Sequence, residues 1–108
     1  PPVENGNVLQ RTTSGLSCEC WYLNGKLHRE NGPAVTLETG AEGWYINGKK
    51  HREDGPAVEF NEYKECWIND KRHRKDGPAV EYEDGYKAWW INGERVTEQD
   101  VLMLKKVA

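Results

Sequence analysis

Gly43-Trp44-Tyr45-Ile46-Asn47-Gly48-Lys49-Lys50-His51-Arg52-Glu53-Asp54-Gly55-Pro56-Ala57-Val58-Glu59-Phe60 decides the fold, because the same text stands before it and after it. Upstream runs Trp21-Tyr22-Leu23-Asn24-Gly25-Lys26-Leu27-His28-Arg29-Glu30-Asn31-Gly32-Pro33-Ala34-Val35. Downstream runs Cys66-Trp67-Ile68-Asn69-Asp70-Lys71-Arg72-His73-Arg74-Lys75-Asp76-Gly77-Pro78-Ala79-Val80. A fourth copy opens with Trp89-Trp90-Ile91-Asn92-Gly93-Glu94-Arg95 and then breaks off. Asn24, Asn47, Asn69 and Asn92 are spaced 23, 22 and 23 residues apart. A fixed period in this range marks a repeat array, in which each unit buries one face against its neighbours.

Each unit opens on an alternating run: Glu19-Cys20-Trp21-Tyr22-Leu23, Gly43-Trp44-Tyr45-Ile46, Glu65-Cys66-Trp67-Ile68 and Lys87-Ala88-Trp89-Trp90-Ile91. Period-two alternation makes these strands. It puts Trp21 with Leu23, Trp44 with Ile46, Cys66 with Ile68 and Trp89 with Ile91 on one face, taken as the core. Tyr22, Tyr45, Trp67 and Trp90 then face the other way. The Asn-Gly pairs that follow suit a type I′ turn, which needs two successive positive φ angles. Asn69-Asp70 replaces that pair in the third unit and is expected to cost stability. A short return strand carries Lys and the His-Arg pair. The Asn31-Gly32-Pro33, Asp54-Gly55-Pro56 and Asp76-Gly77-Pro78 trios make corners. Second strands begin at Ala34, Ala57 and Ala79; their Val35 and Leu37, Val58 and Phe60, Val80 and Tyr82 are expected to meet the Trp face. Turns at Glu38-Thr39-Gly40, Asn61-Glu62-Tyr63 and Glu83-Asp84-Gly85 lead into the next unit.

The ends differ. Asn5-Gly6 between apolar flanks reads as a small hairpin turn off the repeat register, and 11–15 as loop. Thr97 is a candidate N-cap with acids after it, and Lys105 and Lys106 sit in the last turn, so 98–107 reads as a short helix. The expectation is an all-β meander of antiparallel hairpin repeats, about three and a half units, closed by a C-terminal capping helix. One domain covers 1–108, with 1–17 a cap or loop, 18–95 the repeats and 96–108 the capping segment. The first repeat strand has no evident cap, which invites edge pairing in a homodimer or with a docked partner.

Composition agrees with an open array. Only 36% of the 108 residues are hydrophobic and 31% are charged, which is lean for a closed core. Five Trp and five Tyr stand against one Phe and one Met, so buried area must come from rings that keep one wet edge. A net charge of −3 argues against a general nucleic-acid binder. Nothing resembles a signal peptide or a membrane span. Three cysteines exclude a complete disulfide framework and read as reduced thiols of a cytoplasmic protein.

The unit W-Y-x-N-G-K-x-H-R-x-x-G-P-A-V resembles the MORN repeat (membrane occupation and recognition nexus) over residues 18–95, most closely in variant forms. Asn47-Gly48-Lys49 and His51 carry the match; Arg-x-x-Gly-Pro-Ala after the His replaces Gly-x-Gly and lengthens the corner. Units of this kind look like those of bacterial, phage and large-DNA-virus proteins. The resemblance implies a hairpin array that binds protein, dimerises or contacts phospholipid, without enzymatic activity.

The residues support a binder more than a catalyst. Equivalent His-Arg pairs at 28–29, 51–52 and 73–74 lie two strand spacings apart, about 9.6 Å, too far for zinc ligands at about 2.1 Å from one centre. No metal or cofactor is expected. Cys18 and Cys20 share a strand face and read as small buried hydrophobes. No nucleophile–base arrangement repeats and no Gly-rich phosphate loop follows a strand, so no enzyme is expected. The candidate binding residues are Tyr22, Tyr45, Trp67 and Trp90, with Arg29, Arg52 and Arg74, all repeating with the unit. Their first reading is a protein-binding sheet face, of the kind a phage-encoded inhibitor of a host defence protein presents in the host cytoplasm. The alternative is an Arg row that grips nucleic acid, a nucleotide or lipid headgroups. A third reading has His and Arg only tying down the corners.

Overall fold

The computed structural model describes residues 6–11 and 15–107. Among the described residues there are fourteen strands and one helix, and every strand after the first follows the repeat text. β1 is Gly6–Arg11. The first unit holds β2 (Ser17–Leu23), β3 (Lys26–Leu27) and β4 (Val35–Leu37). The second holds β5 (Glu42–Gly43), β6 (Tyr45–Ile46), β7 (Lys49–Lys50) and β8 (Val58–Phe60). The third holds β9 (Tyr63–Glu65), β10 (Trp67–Ile68), β11 (Lys71–Arg72) and β12 (Val80–Glu81). The fourth holds β13 (Lys87–Ile91) and β14 (Glu94–Val96), followed by α1 (Glu98–Val107). The main sheet is an antiparallel meander in the order β1-β2-β4-β5-β8-β9-β12-β13-β14, with β3 paired to β2.

The alternating runs do not all continue as single strands. In the middle units the chain leaves the main sheet at Trp44 and at Cys66, and β6–β7 and β10–β11 pair separately as small hairpins. These hairpins are joined to their neighbours by backbone bonds. Arg29 N–H donates to the Tyr45 carbonyl at 3.1 Å and Gly48 N–H to that of Leu27 at 2.8 Å. Arg52 repeats the first bond on Trp67, and Arg74 on Trp90. The array is therefore two bonded layers that meet along the line Trp21, Trp44, Cys66.

The turns are as their sequence demands. Asn47 and Gly48 take φ of 50° and 80°, and the other Asn-Gly pairs match them. Asp70, in place of Gly, is held at φ 66°. Its carboxylate accepts the Lys50 N–H at 2.8 Å, an inter-unit bond that offsets the strain of the left-handed backbone.

Register overturns the expected core face. Gly43 pairs with Val58 and Val35, and Glu65 with Val58 and Val80. Trp44 therefore lies opposite Ala57, whose carbonyl accepts its N–H at 2.7 Å, and not opposite Val58. Facing residues in an antiparallel ladder share a side, and a one-residue offset moves a whole set across. Val35, Val58 and Val80 thus stand on the side of Tyr45, Trp67 and Trp90. Trp21, Trp44 and Trp89 are half-buried and not core, and so are the rings expected to face outward. Among the described residues the buried apolar side chains are small: Ala34, Ala57, Ala79, Val80, Ala88, Cys18, Cys20 and Val101. The far side of the main sheet is a polar row, Glu19-Thr36-Glu42-Glu59-Lys64-Glu81-Lys87, aligned by the same ladder.

β1 pairs with β2 over six residues, so the first repeat strand is covered and β1 forms the described edge of the sheet. That removes the ground for edge pairing through β2. The expected turn residue Asn5 and the 12–14 part of the expected loop lie outside the described residues, while Gly6 to Arg11 run as one strand. The helix is where its cap places it. Thr97 Oγ1 accepts the Asp100 N–H at 3.1 Å, and Asp100 Oδ2 accepts the Thr97 N–H at 3.0 Å, a reciprocal capping box. Ile91, Val96, Asp100 and Leu104 line one depression, so α1 covers the Trp89–Ile91 side of the last unit. Among the described residues, no helix is long and apolar enough to cross a membrane.

Candidate binding surface

The His-Arg pairs build the corners. His28, His51 and His73 each turn Nδ1 toward the next unit and accept the backbone N–H of Asn47, Asn69 and Asn92, at 2.9, 3.1 and 2.9 Å. The turns at Asn47, Asn69 and Asn92 are thereby each clamped by the preceding repeat. An Nδ1 that accepts must be unprotonated. In His73, burial and then the Lys75 charge keep the imidazole below its ordinary pKa.

Arg29, Arg52 and Arg74 bend back over their own corners. Their Nη1 groups donate to the carbonyls of Pro33, Pro56 and Pro78 at 3.3, 3.2 and 3.1 Å. Arg52 Nε also binds Asp54 and Arg74 Nε binds Asp76, both at 2.9 Å. The guanidinium of Arg52 holds the exposed Asp54 carboxyl below its ordinary pKa. A Cβ on Gly32, Gly55 or Gly77 would stand 2.8–2.9 Å from the guanidinium carbon, so the tip of the arginine would have to move off its corner. Arg29 stacks on Trp21 at 4.3 Å and Arg52 on Trp44 at 3.8 Å.

These arginines therefore sit on the Trp44 side. Tyr45 lies over Gly43 on the other side. The two halves of the candidate set, rings and arginines, do not form one surface.

The rings have different cations. Two-residue turns place Tyr45 opposite Lys50, Trp67 opposite Arg72 and Trp90 opposite Arg95. Lys50 Nζ stands 4.5 Å from the Trp67 ring centroid. The Arg72 guanidinium lies between Trp67 and Trp90, at 5.0 and 5.1 Å. Tyr22 stands at the same position in the first unit, opposite the apolar Leu27.

A buried carboxylate anchors this face. Glu65, 6% exposed, accepts bonds from Tyr63 Oη, from Trp67 Nε1 at 3.0 Å and from Arg72 at 3.3 Å. Burial alone would raise the Glu65 carboxyl, but the Tyr63 and Trp67 bonds and the Arg72 charge together hold it below its ordinary pKa. The Tyr63 phenol is pushed up by burial and by Glu65. From Tyr63 the rings continue edge to face through Tyr82 to Tyr86, at 5.1 and 5.2 Å. Arg95 donates to the Tyr86 hydroxyl at 3.0 Å and closes the circuit back to Trp90. Phe60, Tyr82 and Tyr86 remain 40%, 46% and 45% exposed at its rim.

Sequence reasoning alone misses Lys50, Arg72, Glu65 and Tyr63. The signal for the two cations is the turn length, since a two-residue turn makes Tyr45 and Lys50 cross-strand partners. Glu65 carries no such signal. Among the described residues, no group of His, Cys, Asp and Glu could hold a metal ion. No protein-family model, no curated protein and no solved structure matches the chain.

Proposed function

We propose that the chain is a non-catalytic module that binds a protein partner through the aromatic–cationic face running from Tyr45 to Tyr86. One observation carries this reading: Tyr, Trp and Arg side chains share one face, hold each other in place and still leave ring edges exposed. These three residue types dominate interface hot spots, and preordered rings lose little entropy on binding. Lys50, Arg72 and Arg95 give the face a positive cast, which favours an apolar partner patch with acidic rims. The repeat text keeps an inhibitor or adaptor acting on a host protein as the role to test.

Anion capture by Arg29, Arg52 and Arg74 has less support. Each guanidinium is already bonded to its own corner, and two are stacked on Trp.

The experiment is capture of a partner by the immobilised chain, followed by a salt titration of the purified complex. A protein interface centred on rings retains most of its affinity between 50 and 200 mM salt. A loss on the order of 10³ over that range marks phosphate contacts and overturns the reading.

A further inference from the structure

The line of residues Trp21, Trp44, Cys66 and Trp89 holds an indole in every unit but the third. The backbone around the substitution is unchanged. Trp44 N–H donates to Ala57 at 2.7 Å, and Cys66 N–H donates to Ala79 at 2.7 Å. His51 N–H donates to Trp44 at 3.1 Å, and His73 N–H donates to Cys66 at 3.1 Å. The lid is nearly the same: Arg74 lies over Gly77 as Arg52 lies over Gly55, bonded to the corresponding proline carbonyl and aspartate, and adds one bond to Glu81 at 3.3 Å. Only the ring beneath Arg74 is missing from the sequence.

The surface records the difference. A cleft of about 580 Å³ lies over Trp44 and Ile46, between the corners of Arg29 and Arg52. The next cleft, over Cys66 and Ile68, is about 710 Å³ and extends past Gly55 and Pro56 to Lys64 and Glu81 of the polar row. The Trp44 cleft stops short of Gly32, Pro33, Glu42 and Glu59, which hold the matching positions, and an indole occupies its base. The thiol side chain is too short to do the same.

We propose that the cleft over Cys66 is an indole-shaped slot that receives an aromatic side chain, tryptophan foremost, from a protein partner. The chain contains two worked examples of the occupant, Trp21 under Arg29 and Trp44 under Arg52, at 4.3 and 3.8 Å. An entering ring would find the same guanidinium already fixed above it by Asp76, Pro78 and Glu81. A preordered cation over a half-desolvated ring is where stacking contributes most. The slot lies on the side of the molecule opposite the ring face. The identity of its occupant rests on the reading that the partner is a protein; the slot itself does not.

The test titrates N-acetyl-tryptophanamide into isotope-labelled protein and follows amide and Arg side-chain resonances. Saturable shifts centred on Cys66, Ile68 and Arg74 Nε are expected, with Kd of about 1 mM for so small a ligand. Cys66→Trp should fill the slot from within, abolish those shifts and raise the urea midpoint. Absence of saturable shifts at these three residues overturns the proposal. So does a folded Cys66→Trp that binds the ligand with parental Kd. Should Cys66→Trp not fold, Arg74→Met takes its place, and parental affinity in that variant overturns the proposal equally. Binding of N-acetyl-tryptophanamide here, together with a partner that proves not to be a protein, would keep the slot and remove the protein-binding reading.

Discussion

Arg52→Ala separates an arginine that binds a partner from one that builds the repeat. Arg52 stacks on Trp44 at 3.8 Å, an interaction of about 1 kcal/mol at a half-exposed site. Its Nη1 bond to the Pro56 carbonyl at 3.2 Å contributes about 1–1.5 kcal/mol, since the donor is charged. Its stem covers part of the indole, worth about 0.5 kcal/mol. The ion pair to Asp54 is given no weight, because that carboxylate is 82% exposed. The loss is therefore about 2.5–3 kcal/mol. With a urea m-value of about 1.2 kcal/mol/M for a chain of this size, the midpoint should fall by roughly 2 M. Arg52→Lys keeps the charge but not the planar fork and should lose about half as much. Gly55→Ala should imitate Arg52→Ala, because the new Cβ would stand 2.9 Å from the guanidinium carbon. An unchanged midpoint in Arg52→Ala, with partner binding lost, would refute the structural assignment and return Arg52 to the binding surface.

Three further outcomes follow from bonds within the third unit and between units. The Glu65 carboxyl is held below its ordinary pKa, so its contribution is present above about pH 4.5 and lost as pH falls through the folded value. Glu65→Gln should lower the urea midpoint at pH 7 and flatten its decline below pH 4.5; an unaltered acid limb would contradict this. The His73 imidazole is also held low, so its clamp on Asn92 is complete above pH 6.5 and weakens as pH falls below that. His73→Gln, which keeps an acceptor without a titrating ring, should flatten stability between pH 7 and 5, and a parental slope would dismiss the clamp. Asp70→Gly trades the Lys50 bond for a relaxed turn and should be nearly neutral, whereas Asp70→Ala keeps the strain and loses the bond, costing about 1–2 kcal/mol by thermal unfolding.

Much of the architecture is legible in the text because it is written by local chemistry. Asn-Gly pairs need positive φ, and the structure has them. The helix is announced by Thr97 and its acids and spans Glu98–Val107. The repeat period sets the strand order. Register was not legible, because Ala57 and Val58 are both apolar and either can face Trp44 in a ladder. The inter-unit clamp was not legible either: His51 and Asn69 are adjacent only once the hairpins are stacked. β1 lies outside the period, so nothing in the repeat announces its pairing with β2. At the candidate site the rings were visible as a repeating set, but the arginines of the His-Arg pairs are the most conspicuous cations and the wrong partners for them. The right ones, Lys50 and Arg72, follow only from counting outward across the turn.

The central claim is that the ring face carries the main partner contact, and the polar row outside the Cys66 cleft carries none. The direct measurement is partner affinity by calorimetry for Lys50→Glu with Tyr86→Ala, against Glu42→Ala with Lys87→Ala in the part of the polar row outside the Cys66 cleft, each checked for folding by circular dichroism. The account predicts that the first pair weakens binding at least 100-fold, roughly the loss of two hot-spot contacts, while the second binds as the parent does. Full affinity in the first pair, with loss in the second, would contradict it.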